Sequence, residues 1–211
     1  MSNAAHSREG HRASPWNKGH KVGQKRALRR QDVRKIRGRL RAEGDKRDLA
    51  LFNLAIDSKL PGCDLVALHI NDVWYRGRVR AHGNVVLQRT GLRVRFEITD
   101  ETRAAIADWL TQRKKGQIFL FPSRFHAMPH ISARQYARIV EDWVTGAGLD
   151  ARVYGTHSIR RTKVLLVLKQ TANLKAAQLL LGHKKLESTA RYLETELTEV
   201  EALKIASKVE L

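Results

Sequence analysis

The chain has 211 residues, enough to bury most of its apolar surface without disulfide or metal staples. Forty Lys and Arg face 21 Asp and Glu, a formal charge of +19, while 42% of residues are hydrophobic. That balance excludes wholesale disorder and predicts a field that attracts polyanions and releases counterions from a nucleic-acid backbone. Cys63 is the single cysteine, which excludes an internal disulfide and suits a reducing compartment. It sits in Leu60-Pro61-Gly62-Cys63-Asp64-Leu65 and is expected to be a small buried side chain. No stretch approaches 18 apolar residues, so no membrane contact is expected.

Residues 1–27 mix Gly, Pro, Ser, His and Lys without apolar periodicity and read as a flexible basic arm. Val33, Ile36 and Leu40 then recur at helical spacing among arginines, which predicts a helix with one apolar stripe. Residues 47–57 read as a buried helix, and a short one follows Pro61-Gly62. Val73-Trp74-Tyr75, Val85-Val86-Leu87 and Leu92 to Ile98 read as strands of one small antiparallel sheet, with a tight turn at Arg89-Thr90-Gly91. Ala105, Ile106, Trp109 and Leu110 mark the next helix. Ser132 with Gln135 forms a capping box that opens another, ended by Gly146 and Gly148. Helices over about 157–170 and from Asn173 to Gly182 follow, and Val200, Leu203, Ala206 and Val209 give an amphipathic tail over 199–211. The fold class is mainly α with a small antiparallel β-sheet (α+β).

Three segments carry chemistry. Tyr154-Gly155-Thr156-His157-Ser158-Ile159-Arg160 contains His-x-x-Arg, Leu181-Gly182-His183 puts a histidine just past a helix end, and Tyr192 follows nine residues after His183. Each alone is weak, because the histidines also suit helix-terminus caps and a helical tyrosine is usually packing. In this order and spacing the chain resembles the tyrosine recombinase (phage integrase) family over residues 28–198, beginning after the basic arm. The resemblance implies that family's DNA breaking-rejoining catalytic fold and double-stranded DNA as partner. It further implies a homo-oligomer on DNA, with the tail packed in cis or passed between protomers, and a cytoplasmic, nucleoid-associated bacterial protein.

The resemblance also implies roles. Tyr192 is the nucleophile, leaving a phosphotyrosyl link. Arg160 offers a planar fork to two phosphate oxygens, and His183 adds a hydrogen bond. His157 either takes the tyrosine proton or orients the phosphate. Pre-aimed donors lower the barrier as charge builds on the phosphate, so no metal or cofactor is expected. His126-Ala127-Met128-Pro129-His130 has a His-x-x-x-His spacing, but Pro129 breaks the helix that would align it, so a zinc site is rejected. Arg34, Arg37, Arg41, Arg161 and Lys184 are candidate DNA contacts.

Two positions depart from the family's pattern. In Lys59-Leu60-Pro61-Gly62-Cys63-Asp64-Leu65, Asp64 fills the acidic place, but Pro61 stands where the first catalytic arginine is expected. Losing such a donor costs about 2.7–4 kcal/mol. Lys59, two residues away, is expected to point elsewhere. In the turn, Arg89 stands where the family has a lysine that protonates the departing oxygen. Arginine holds its proton too tightly for that task, so Arg89 is read either as a charge stabiliser or as an ordinary groove-contacting turn residue. Two functions follow as alternatives: an attenuated recombinase of mobile DNA, or a non-catalytic DNA-binding relative that occupies or regulates recombination sites.

Overall fold

A computed structural model of the chain describes residues 24–112, 114, 116–124 and 128–193. The first helix, α1 (Arg30–Ala42), buries Val33, Ile36 and Leu40, the expected stripe. Helix α2 (Lys46–Ser58) opens on Asp45, whose side chain accepts from the Asp48 amide, and buries every residue from Ala50 to Ser58. It is the central post of the fold, because α1, a strand, and two later helices all pack on it. Phe52 meets Trp143 edge-on at 5.3 Å, and the Trp143 indole donates to Asp48 at 2.9 Å.

Lys59, with φ +55°, ends α2 in the left-handed region, and the chain then turns into α3 (Gly62–Val66) and α4 (Ile70–Val73). The expected single sheet is two separate ribbons. β1 (Trp74–Tyr75) pairs with β2 (Arg78–Val79) about an Arg76-Gly77 turn in which both residues have positive φ; β3 (His82–Val86) pairs with β4 (Arg93–Glu97). The short β2 escaped the sequence reading because two residues are too few to show an alternation. Along β4, Val94 and Phe96 face the core while Arg93, Arg95 and Glu97 face out, as the period of two predicts.

Helix α5 (Asp100–Leu110) starts against α2. The buried carboxylate of Asp57 accepts from the Thr99 amide and from both Thr99 and Thr102 hydroxyls, while Lys163 donates to its other oxygen at 2.8 Å. Burial pushes this carboxyl up, but the hydrogen bonds outweigh it and hold the pKa below the ordinary value. Helix α6 (Ala133–Gly146) opens with the predicted box: Ser132 Oγ accepts from the Gln135 amide at 3.1 Å. Helices α7 (Thr156–Thr171), α8 (Leu174–Leu181) and α9 (Leu186–Leu193) finish the described chain. They share a small second core of Val164, Leu168, Ala177, Leu181 and Leu193.

Residues 24–28, the end of the expected arm and the residue after it, lie against the domain. The Arg26 amide donates to the Val153 carbonyl at 3.1 Å, and Ala27 and Leu28 are buried. The rest of the arm, and the tail at 199–211, lie outside the described residues.

Candidate active site

The site assembles around Arg160. His157 and Arg160 stand three apart in the first turns of α7 and so share a face. Arg160 is only 8% exposed; its Nε donates to the Lys59 carbonyl at 2.8 Å and its Nη2 to the Leu181 carbonyl at 2.7 Å. Both acceptors belong to helix C-terminal ends, of α2 and α8, where orphan carbonyls and the helix dipole favour a cation. A buried guanidinium left unpaired would be costly, so these bonds both stabilise Arg160 and fix the direction of its fork.

The same contacts bring the Pro61 corner to the site. Pro61 caps α3, and its carbonyl accepts from the Leu65 amide at 2.9 Å. Asp64 is buried and accepts from the Gln88 amide at 2.9 Å, which ties α3 to the β3–β4 turn. Arg89 is exposed on that turn, and its charge reaches both Arg160 and His183. Cys63 is exposed rather than buried, because α3 turns Asp64, Leu65 and Val66 inward and leaves position 63 outside. Its sulfur lies 3.7 Å from the Asp64 carboxylate, and partial loss of solvent on its inner side, together with that charge, raises the thiol pKa.

His183 follows Gly182, whose φ of +64° ends α8 in the left-handed region. Its Nδ1 lies 3.0 Å from the Thr189 hydroxyl, which is buried on α9. Loss of solvent, then the positive charges of Arg160 and Arg89, lowers its pKa to about 4, so the ring is neutral at neutral pH. His157, at the exposed edge, is lowered by the same causes in the same order, with Arg161 as the second charge after Arg160.

Tyr192 sits on α9 within this ring of groups. Its hydroxyl is 3.4 Å from His157 Nδ1, a loose approach, and its ring stands perpendicular to His183 at 5.6 Å. The guanidinium carbon of Arg160 lies 5.7 Å from the ring centre and that of Arg161 lies 4.3 Å away. Burial raises the phenol's pKa, while Arg160 and Arg161 pull it down. Tyr192, Arg160, His183, His157 and the Arg89 turn therefore converge, with Pro61 beside them.

The candidate DNA contacts divide. Arg34 and Lys184 are exposed. Arg37 is half-buried, donating to Asn53 at 2.7 Å and pairing with Glu101 at 2.7 Å, and Arg41 pairs with the same Glu101. Arg34 and Arg37 line a groove with Thr99 and Glu101 that none of the four α7–α9 site residues enters. Arg161 is 3% exposed and committed inward: Nη1 donates to the Lys25 carbonyl at 2.7 Å, and Nη2 bonds the Gln24 side chain. Arg161 as a clamp on Tyr192 and Gln24 were missed, since each joins segments far apart in sequence; Thr189 as a partner of His183, six residues away across the turn between α8 and α9, was missed as well. His126 lies outside the described residues, and His130 is engaged with the Ile131 carbonyl at 2.8 Å. Among the described residues no cluster of three or more His, Cys, Asp or Glu is placed to hold a metal, and no helix is long and apolar enough to cross a membrane.

Comparison with solved structures gives the class. The crystal structure of XerA recombinase superposes with a TM-score of 0.72 at 18% identity, covering 89% of this chain and 66% of that one. XerH site-specific recombinase bound to palindromic difH substrate, in a post-cleavage complex, gives 0.67 at 17% identity over 88% of this chain and 54% of that one. The fold is the tyrosine recombinase catalytic domain. At sequence level the family model described as Phage integrase family matches residues 26–199, and the chain belongs to that family. Tyrosine recombinase XerC of Chromobacterium violaceum is 30% identical over 156 residues, 72% of this chain and 49% of that protein. Probable integrase/recombinase YoeC of Bacillus subtilis is 27% identical over 149 residues, 71% of this chain and 78% of that protein. The chain thus spans about half the length of the XerC relative.

Proposed function

We propose that this chain is a DNA strand transferase of attenuated activity, serving integration or recombination of mobile DNA and working as an oligomer on double-stranded DNA. The carrying observation is the approach of the Tyr192 hydroxyl to His157, 3.4 Å from Nδ1, with the guanidinium groups of Arg160 and Arg161 5.7 and 4.3 Å from the tyrosine's ring centre. In the proposed step the phenol oxygen attacks a backbone phosphorus and the bond to the 5′-oxygen breaks, leaving a phosphotyrosyl link. His157, uncharged above its lowered pKa, accepts the phenol proton. Arg160 and neutral His183 donate to the non-bridging oxygens as charge accumulates there. Arg89 stabilises charge beside the leaving oxygen, which takes its proton from water because a guanidinium is a poor acid.

The test is incubation with nicked suicide DNA, followed by a denaturing gel. The unaltered protein is expected to form a covalent adduct slowly, and Tyr192→Phe to abolish it with DNA affinity almost unchanged. Pro61 favours a second reading, a relative that binds recombination sites without cutting, and absence of any Tyr192-dependent adduct would establish it.

Binding should be strongly electrostatic on either reading. With a charge of +19, log affinity against log salt is expected to fall with a slope of several units. A nearly flat line in a fluorescence-anisotropy titration would remove the electrostatic argument.

A further inference from the structure

Helix α9 has eight residues, too few to hold its shape alone, and Lys184 to Ser188 before and within it are exposed. Its inward anchors include Thr189 and Leu193, both fully buried. A further anchor comes from the other end of the described chain. The Gln24 side-chain amide donates to the Arg191 carbonyl at 3.0 Å, the peptide that leads into Tyr192. The oxygen of the same amide accepts from Arg161 Nη2, and Arg161 lies 4.3 Å over the Tyr192 ring. One side chain thus grips both the backbone beside the tyrosine and the cation stacked on its ring.

The segment bearing Gln24 is itself pinned. Lys25 Nζ donates to the carbonyls of Ala151 at 3.1 Å and Arg152 at 2.5 Å. The Lys25 carbonyl accepts from Arg161 at 2.7 Å, the Arg26 amide donates to Val153 at 3.1 Å, and the Leu28 amide donates to the Thr162 hydroxyl at 3.0 Å. Residues 24–28 therefore cross the loop before α7, the first turns of α7 and the end of α9.

We propose that residues 24–28 form a strap that fixes the tyrosine-bearing helix, with Gln24 as a positioning residue for Tyr192. The proposal rests on the reading of Tyr192 as nucleophile, but the strap itself is a mechanical claim about α9. Strain or movement on the N-terminal side of Gln24 passes to Tyr192 through two bonds on a single amide. A strap of this kind couples the readiness of the tyrosine to the seating of residues 24–28 on the domain.

The test uses the full chain and reads α9 directly by amide hydrogen exchange. Gln24→Ala is expected to speed exchange across residues 186–193 by about fivefold, the ratio one net hydrogen bond supports, leaving α2 unaffected. Gln24→Glu keeps an acceptor for Arg161 but loses the donor to Arg191, and should also speed exchange there. On suicide DNA, Gln24→Ala should slow adduct formation by about the same factor at unchanged DNA affinity. Faster exchange in α9 supports the strap even if the unaltered protein forms no adduct, an outcome that would sink the nucleophile reading alone. Unchanged exchange in α9 for both variants overturns the strap, whatever the adduct assay gives.

Discussion

Pro61→Arg should raise the rate of Tyr192-dependent adduct formation on suicide DNA at least about tenfold, towards the 10²–10³ that a lost transition-state donor typically costs. The backbone accepts the change, because residue 61 has φ −55° and ψ 146°, ordinary extended values, and serves as the cap before α3. Proline there contributes a carbonyl to the Leu65 amide, which arginine also supplies. Position 61 lies two residues along the chain from the Lys59 carbonyl that holds Arg160, and the prediction is that a guanidinium there reaches the same phosphate. The gain should appear in the cleavage rate and much less in DNA affinity, since one added charge on a +19 chain changes the phosphate contacts little. Equal rates for the two proteins, in a preparation where Pro61→Arg folds and binds normally, would mean that position 61 does not face the reacting phosphate.

Lys59→Met should stabilise the protein at pH 7. Lys59 is 4% exposed, and burial first, with Lys163 adding repulsion, lowers its pKa from 10.5 to about 8 against the pull of Asp57 and Glu97. Because the folded value lies below the unfolded one, keeping this lysine charged costs stability. The cost is fully present below about pH 8 and disappears as the pH rises towards 10.5. The shift corresponds to about 3 kcal/mol, so methionine should gain on the order of 1–3 kcal/mol at pH 7 and far less at pH 10. Urea denaturation at both values checks it, and a variant less stable at pH 7 would show that Lys59 has a favourable partner. The Lys59 carbonyl, which anchors Arg160, is kept by the substitution.

Much of this was legible in the sequence, where a local pattern carried it. The stripe at Val33, Ile36 and Leu40, the Ser132–Gln135 box, the glycine ending α8 and the alternation along β4 are rules of neighbours, and each stands in the fold. The convergence of His157, Arg160, His183 and Tyr192 was legible through order and spacing in a familiar motif. What escaped depends on distant segments. Arg161 looks like one more cation for DNA until Gln24 and the Lys25 carbonyl are seen to hold it against Tyr192. Arg37 and Arg41 look like a basic helix face until Glu101 is found between them. Cys63 reads as core from its neighbours, yet a five-residue helix exposes one side, and that side is position 63.

At Gly182 the end of α8 lies bare against the β3–β4 ribbon. A Cβ there would sit 2.8 Å from Leu87 Cδ1 and 2.8 Å from Val94 Cγ2, closer than carbon atoms tolerate. The spacing between His183 and the turn bearing Arg89 is therefore set by main chain and two apolar side chains, not by the charged groups themselves. The Asp64–Gln88 bond and the carbonyls beneath Arg160 keep the other spacings in the same manner. The cradle is built from one set of atoms and the reactivity from another. On the proposed reading, single exchanges at positions such as 61 or 89 would shift a chain of this build between severing DNA and merely holding it, with no change of outline to betray which.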